Sequence, residues 1–108
     1  MFLAPIDVGR AAPMEVHSIK YCLAVYRERS FTRAAKRCGV AQPSLSNGIR
    51  KLEQELGGAL FVRNVNGIAL TLLGRTVRPH FEEIDRRIER IRKISSNLPN
   101  AEAARRKA

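Results

Sequence analysis

Apolar residues three and four positions apart recur along most of this chain, and one short stretch breaks the rhythm. Ile19, Cys22, Leu23 and Tyr26 fall on one side of a predicted helix over 16–29. Ser30-Phe31-Thr32 interrupts the pattern, and Thr32 is the expected N-cap of a short second helix carrying Ala34, Ala35 and Cys38. Gly39 supplies the stop, because glycine enters positive φ without a Cβ clash, and Val40 is expected to plug the turn. Leu45, Ile49, Leu52 and Leu56 then define a third helix over 41–57. The interruption follows. In "ALFVRNVNGIALT", Leu60, Phe61 and Val62, then Ile68 and Leu70, predict two short strands joined by a turn at Asn66-Gly67.

The helical period returns over 72–98. Val77, Phe81, Ile84, Ile88, Ile91 and Leu98 follow a 4-3-4-3-7 spacing, a heptad seam interrupted by Ser95. Such a seam pairs with another helix, so these six residues are the candidate dimerisation residues. Pro79 fits near the first turn or else kinks the helix. Glu82–Arg86, Glu83–Arg87 and Glu89–Lys93 are favourable i,i+4 pairs. Residues 1–13, with Pro5, Gly9 and Pro13, read as a disordered arm, and residues 99–108 as a polar, frayed tail.

Composition narrows the partner. The 108 residues suit one small domain, and 20 Lys and Arg against 10 Asp and Glu give a formal net charge of +10, which points to a polyanion. A run of about 20 apolar residues, needed for a membrane span, is missing, and the opening stretch makes a poor signal peptide. The expected location is therefore cytoplasmic, at the nucleoid, with no membrane partner. Cys22 and Cys38 lack metal-pair spacing and read as reduced structural cysteines. His17 and His80 read as surface residues. The chain shows no catalytic constellation, metal cluster or cofactor motif, so an enzyme is not expected.

The third helix, "AQPSLSNGIRKLEQELG", carries an unusual outer face. Surface helices favour Ala, Glu and Lys, whereas this one opens with Gln42, Pro43, Ser44, Ser46 and Asn47, followed by Gly48 and Arg50. Gln and Asn pair with adenine, Arg pairs with guanine, and Ser serves several partners. By periodicity alone this face reads equally well as plain solvated surface. The short helix before it, the glycine turn and the hairpin after it favour a helix-turn-helix, whose second helix enters the DNA major groove N-terminus first. Gly48 and the serines would keep that helix slim at the duplex. Gln42 and Ser44 sit at the positive end of its dipole. The hairpin would be a wing, with Arg63 reaching the backbone or minor groove.

The segment "SFTRAAKRCGVAQPSLSNGIRKLEQELGGALFVRNVNGIALTLLG" resembles the DNA-binding domain of LysR-type transcriptional regulators. The resemblance rests on Ser30-Phe31-Thr32, Ala34-Ala35, Val40, 42–46, Ile49, Leu52-Glu53, Leu56-Gly57, Leu60-Phe61, Arg63, Leu70-Thr71 and Gly74. It implies a mainly α fold: a winged helix-turn-helix over 14–74, then a linker and dimerisation helix over 75–98. It also implies that Gln42, Pro43, Ser44 and Ser46 lie in the groove, that Thr32 and Thr71 touch phosphate, and that Arg63 serves the wing. Asn47-Gly48 stands where many members carry Arg-Gln. Cys22 and Cys38 replace larger apolar residues, and Ala41 stands where a capping Ser or Thr is common. The two-lobed effector domain usual in this family is not expected within these residues. The expected function is sequence-specific binding of double-stranded DNA by a homodimer that regulates transcription. The alternative is a short interaction protein that forms impaired heterodimers with a related, full-length regulator.

Overall fold

The computed structural model describes residues 14–99; the expected N-terminal arm and nearly all of the expected tail lie outside them. Four helices and one hairpin follow in the order α1 (Val16–Glu28), α2 (Phe31–Cys38), α3 (Gln42–Leu56), β1 (Phe61–Asn64), β2 (Gly67–Leu70) and α4 (Leu72–Asn97). Helix α1 is the hub. Its Ile19, Cys22, Leu23, Val25 and Tyr26 meet Ala34 and Ala35 of α2, Leu45, Ile49 and Leu52 of α3, Leu60 and Phe61 at the hairpin, and Phe81 of α4 in one buried cluster. Burial pushes the Cys22 thiol and the Tyr26 phenol well up from their usual ranges, so both stay protonated. Tyr26 Oη donates to the Gly74 carbonyl at 3.0 Å, which ties the start of α4 to α1.

The local stops follow backbone chemistry. Helix α2 begins two residues earlier than expected: Ser30, not Thr32, is its N-cap, with Oγ accepting from the Arg33 amide at 3.1 Å. At its other end Gly39 adopts φ 70°, and the Val40 amide returns to the Ala35 carbonyl at 3.0 Å. Val40 packs against the core, as a plug for the turn should. Arg29 ends α1 at φ 53°, the left-handed region, without being glycine. Its Nε donates to the Tyr26 carbonyl at 3.2 Å, and a terminal nitrogen donates to the Ile68 carbonyl at 3.4 Å, so the residue links α1 to the hairpin.

The hairpin is antiparallel with Phe61 opposite Leu70 and Asn64 opposite Gly67. That register moves the turn one residue forward of Asn66-Gly67, onto Val65-Asn66. Only Gly67 takes positive φ there, at 111°, while the Asn64 side-chain oxygen accepts from the Asn66 amide at 2.9 Å. Helix α4 runs unbroken through Pro79. Of its predicted ion pairs, Glu83–Arg87 forms at 3.0 Å. Glu82 instead pairs with Arg78 at 3.2 Å, and Glu89 with Arg92 at 3.0 Å. Among the described residues no helix is long and apolar enough to cross a membrane.

Candidate nucleic-acid interface

Helix α3 buries one side and presents the other. Leu45, Ile49 and Leu52 are in the core, while Gln42, Pro43, Ser44, Asn47 and Arg50 are exposed and Ser46 is half-buried. The N-terminus itself is open. Ala41 occupies the cap position in extended backbone with no side-chain hydrogen bond, and Pro43 sits in the first turn, where its missing N–H costs nothing. Pro43 carries no N–H and the Ser44 amide donates to the Ala41 carbonyl at 3.0 Å, so it is the dipole of the helix end, among short polar side chains, that makes this terminus electropositive and suited to an anion.

The polar side chains pair among themselves. Gln42 Nε2 donates to Ser46 Oγ at 3.0 Å, and an Arg50 guanidinium nitrogen donates to Asn47 Oδ1 at 2.7 Å. Each contact joins residues one helical turn apart, so the donors lie in an ordered row.

The hairpin adds a second wall. Phe31, Ser46, Arg50, Glu53, Phe61 and Arg63 line a shallow groove between α3 and β1. Ser46 and Arg50, predicted on one face of α3, and Arg63, predicted on the wing, are thus brought to one place. The Arg63 guanidinium lies over the Phe31 ring, 4.8 Å from its centroid. Phe31 in turn meets Phe61 edge-on at 6.0 Å. Glu53 fixes the junction: its Oε2 accepts from the Leu60 amide at 2.7 Å, holding the hairpin to the end of α3. Sequence reasoning assigned no role to Phe31 or Glu53. The aromatic next to the cap of α2 and the acid following Leu52 were the only signals.

Three expected roles change. Gly48 does not face outward; it is buried against α1. A Cβ there would come within 2.8 Å of Tyr21 Cδ2 and 3.2 Å of Ser18 Oγ, so the glycine serves the close approach of α3 to α1. Thr71 is committed to the fold as the N-cap of α4: its hydroxyl donates to the Ala59 carbonyl at 2.6 Å and accepts from the Gly74 amide at 2.9 Å. In this structure its hydroxyl proton is engaged within the fold. Thr32 is exposed in the first turn of α2 and keeps an outward position without capping.

The candidate seam on α4 divides in two. Val77 packs against the core and Phe81 is buried at 3% exposure, both against their own chain. Beyond them Ile84, Ile91 and Leu98 are exposed, and Ile88 is half-buried. Ile94, beside the interrupting Ser95, is exposed as well and widens the stripe.

Comparison with known proteins agrees with this arrangement. The family model for bacterial regulatory helix-turn-helix proteins of the lysR family matches residues 16–75. The HTH-type transcriptional regulator BudR of Klebsiella aerogenes is 51% identical over 61 residues, which cover 56% of this chain and 43% of that protein. A probable cat1 operon transcriptional activator of Acinetobacter lwoffii is 47% identical over 62 residues, covering 57% of this chain and 20% of its relative. The chain thus spans less than half the length of these relatives. Among solved structures, the BenM DNA-binding domain in complex with benA site 1 DNA superposes with a TM-score of 0.72 at 30% identity, covering 80% of this chain and 100% of that one. Full-length OxyR of Pseudomonas aeruginosa gives 0.76 at 33% identity over 82% of this chain and 30% of its own. The chain belongs to the lysR family of bacterial regulatory helix-turn-helix proteins.

Proposed function

We propose that this chain binds double-stranded DNA as a sequence-specific dimer and thereby regulates transcription. The observation that carries the reading is the open N-terminal half of α3: exposed Gln42, Ser44, Asn47 and Arg50, with Ser46, beside the Arg63 wall. Gln42, Pro43, Ser44, Ser46 and Asn47 enter the major groove, Arg50 and Arg63 meet its edges and the backbone, and Thr32 approaches a phosphate. The net charge of +10 supplies salt-sensitive affinity for any sequence. The similarity to a DNA-binding domain solved on its DNA supports the same placement.

The dimer is proposed from α4. Ile91 at 65% and Leu98 at 60% exposure lie beyond anything their own domain covers. A second copy's helix laid along Ile84, Ile88, Ile91 and Leu98 would cover them and set two α3 helices in successive grooves. The same stripe would accept the helix of a related regulator, which is how an impaired heterodimer would form.

Selection from a random duplex library, followed by binding at two salt concentrations, tests the reading. The expected result is an enriched motif with two half-sites and an affinity that falls with salt. Enrichment of no motif, with binding that depends on salt alone, would reduce the protein to a non-specific polycation. Sedimentation as a monomer at tens of micromolar in moderate salt would remove the dimer.

A further inference from the structure

Among the described residues, the last tether between the winged domain and α4 is a lysine. Lys20, on α1, donates from Nζ to Asp85 Oδ1 at 2.7 Å and to Glu89 Oε2 at 3.3 Å. Nearer the start of α4 the helices are joined by the Tyr26–Gly74 hydrogen bond, by the Arg78 guanidinium 5.1 Å from the Tyr26 ring centroid, and by buried Phe81. From Arg90 to Pro99 every residue is exposed. We propose that Lys20 is a positioning residue: by holding Asp85 and Glu89 it fixes the angle at which α4 leaves the winged domain, and so fixes the spacing of the two half-sites that a dimer accepts. The inference rests on the dimer proposed above.

Leverage carries the argument. The contacts between Gly74 and Phe81 span seven residues, about 10 Å of helix at 1.5 Å per residue. The seam runs on to Leu98, about 25 Å beyond Phe81. A swing of about 10° around Phe81 would move that end by about 4 Å, close to one base-pair step of a helix that turns every 34–36 Å in 10–10.5 pairs. The short inner contacts set the direction of α4 loosely, whereas a contact at 85 and 89 sets it over a longer base. The side chains of Lys20, Asp85 and Glu89 remain 33%, 22% and 53% exposed, so the ion pairs add little to folding stability. Their hydrogen bonds nevertheless hold the Lys20 ammonium above its ordinary pKa, Asp85 first, so the lysine stays charged through the physiological range. The other acidic group near this end of α1, Glu15, pairs with His17 at 3.3 Å and leaves Lys20 to α4.

The test uses the whole chain and duplexes carrying the half-site selected by the unmutated protein, once or twice, with the separation changed one base pair at a time. The unmutated protein should lose about tenfold in affinity per base pair away from its preferred separation, the size of one poor base contact. Lys20→Met should flatten that profile to within about threefold, while its affinity for a single half-site and its unfolding midpoint stay put. Asp85→Asn with Glu89→Gln removes the clamp from the other side and should give the same flat profile. Lys20→Arg, which keeps both contacts, should keep the sharp one. An unchanged profile in Lys20→Met and in the double variant would overturn the proposal while leaving the dimer intact. Equal losses on one and two half-sites would also overturn it, because the lysine would then act within the winged domain. Should the unmutated protein itself favour two half-sites no more than one, the dimer falls and this inference falls with it.

Discussion

The winged domain and the far half of α4 are written in the same residue types at the same spacing, yet they meet opposite fates. Leu45, Ile49 and Leu52 recur along α3 as Ile84, Ile88 and Ile91 recur along α4. The first three are at most 2% exposed, whereas Ile91 is 65% exposed. Every apolar stripe between α1 and Phe81 converges on α1, so one chain satisfies them all. Past Phe81 the helix keeps the Lys20 contacts at Asp85 and Glu89, and from Arg90 to Pro99 the same pattern is exposed. Periodicity thus reports that a face is to be buried, and only the geometry says by whom. The division of the chain therefore falls inside α4, between Phe81 and Ile91, and not at a loop.

The sharpest way to probe that division is a matched pair of truncations. Leu45→Ala removes a fully buried side chain and should cost about 2–5 kcal/mol in urea unfolding. Ile91→Ala, measured at concentrations too dilute for association, should stay within about 0.5 kcal/mol of the unmutated protein. A loss at Ile91 comparable to that at Leu45 would mean that the far half of α4 folds back on its own domain.

Charge on the seam should separate folding from association. Ile84→Asp together with Ile88→Asp would bury unpaired carboxylates in a dimer at a cost of about 3 kcal/mol or more each, and at far smaller cost in a monomer. We expect a folded monomer by circular dichroism and sedimentation, with at least about a hundredfold weaker binding to a two-half-site duplex through lost avidity. Salt should act oppositely on the two events in the unmutated protein. It screens repulsion between two basic domains and so aids dimerisation, while it weakens DNA binding. Dimerisation that weakens with salt would contradict an apolar seam.

Within the winged domain, the exposed side of α3 should behave as the reverse of its buried side. Gln42→Ala and Ser46→Ala should leave stability almost unchanged and each reduce binding to the selected sequence by about 1–3 kcal/mol, with a much smaller effect on random DNA. Equal losses on both kinds of DNA would remove these residues from base reading.

How much of this was legible before the structure depends on how far each signal reaches. Element order and the core were legible because helical and strand periods, Gly39 and the hairpin signal are local. The polar face of α3 was legible because those residues are poor choices for an idle surface. Gly48 was misread because its reason lies on another helix: the Tyr21 ring and Ser18, some thirty positions away, need the missing Cβ. The capping role of Thr71 went unread for the same cause, its hydroxyl being engaged by Ala59 across the hairpin. Ser30 took the cap from Thr32 because the choice between two hydroxyls two positions apart turns on a backbone angle that sequence does not carry. The turn moved to Val65-Asn66 because register is set by the pairing of Phe61 with Leu70, which anchors both strands at the core end. Which part of the α4 seam was already taken could be seen only once Phe81 was found inside.

Arg63 offers the smallest expected effect and the finest distinction, because two jobs are combined in one side chain. Its charge stands on the hairpin, where a phosphate would be met, and its flat face lies 4.8 Å from the centre of Phe31. Arg63→Ala removes both. It should weaken binding across all sequences and flatten the slope of log affinity against log salt by about one, the signature of one lost phosphate contact. Arg63→Lys keeps the charge but loses the planar group that stacks on the ring. It should hold the salt slope and lose only the cation–π part, about 0.5–1 kcal/mol at an exposed site. Phe31→Leu leaves the arginine and an apolar contact but removes the ring, and should match Arg63→Lys in slope and in size. If Phe31→Leu instead flattened the slope as Arg63→Ala does, the ring would be what aims the guanidinium at the phosphate. A full slope in Arg63→Ala, at unchanged affinity, would leave Arg63 packed on Phe31 as a structural part of the hairpin and would confine DNA contact to α3 and the start of α2.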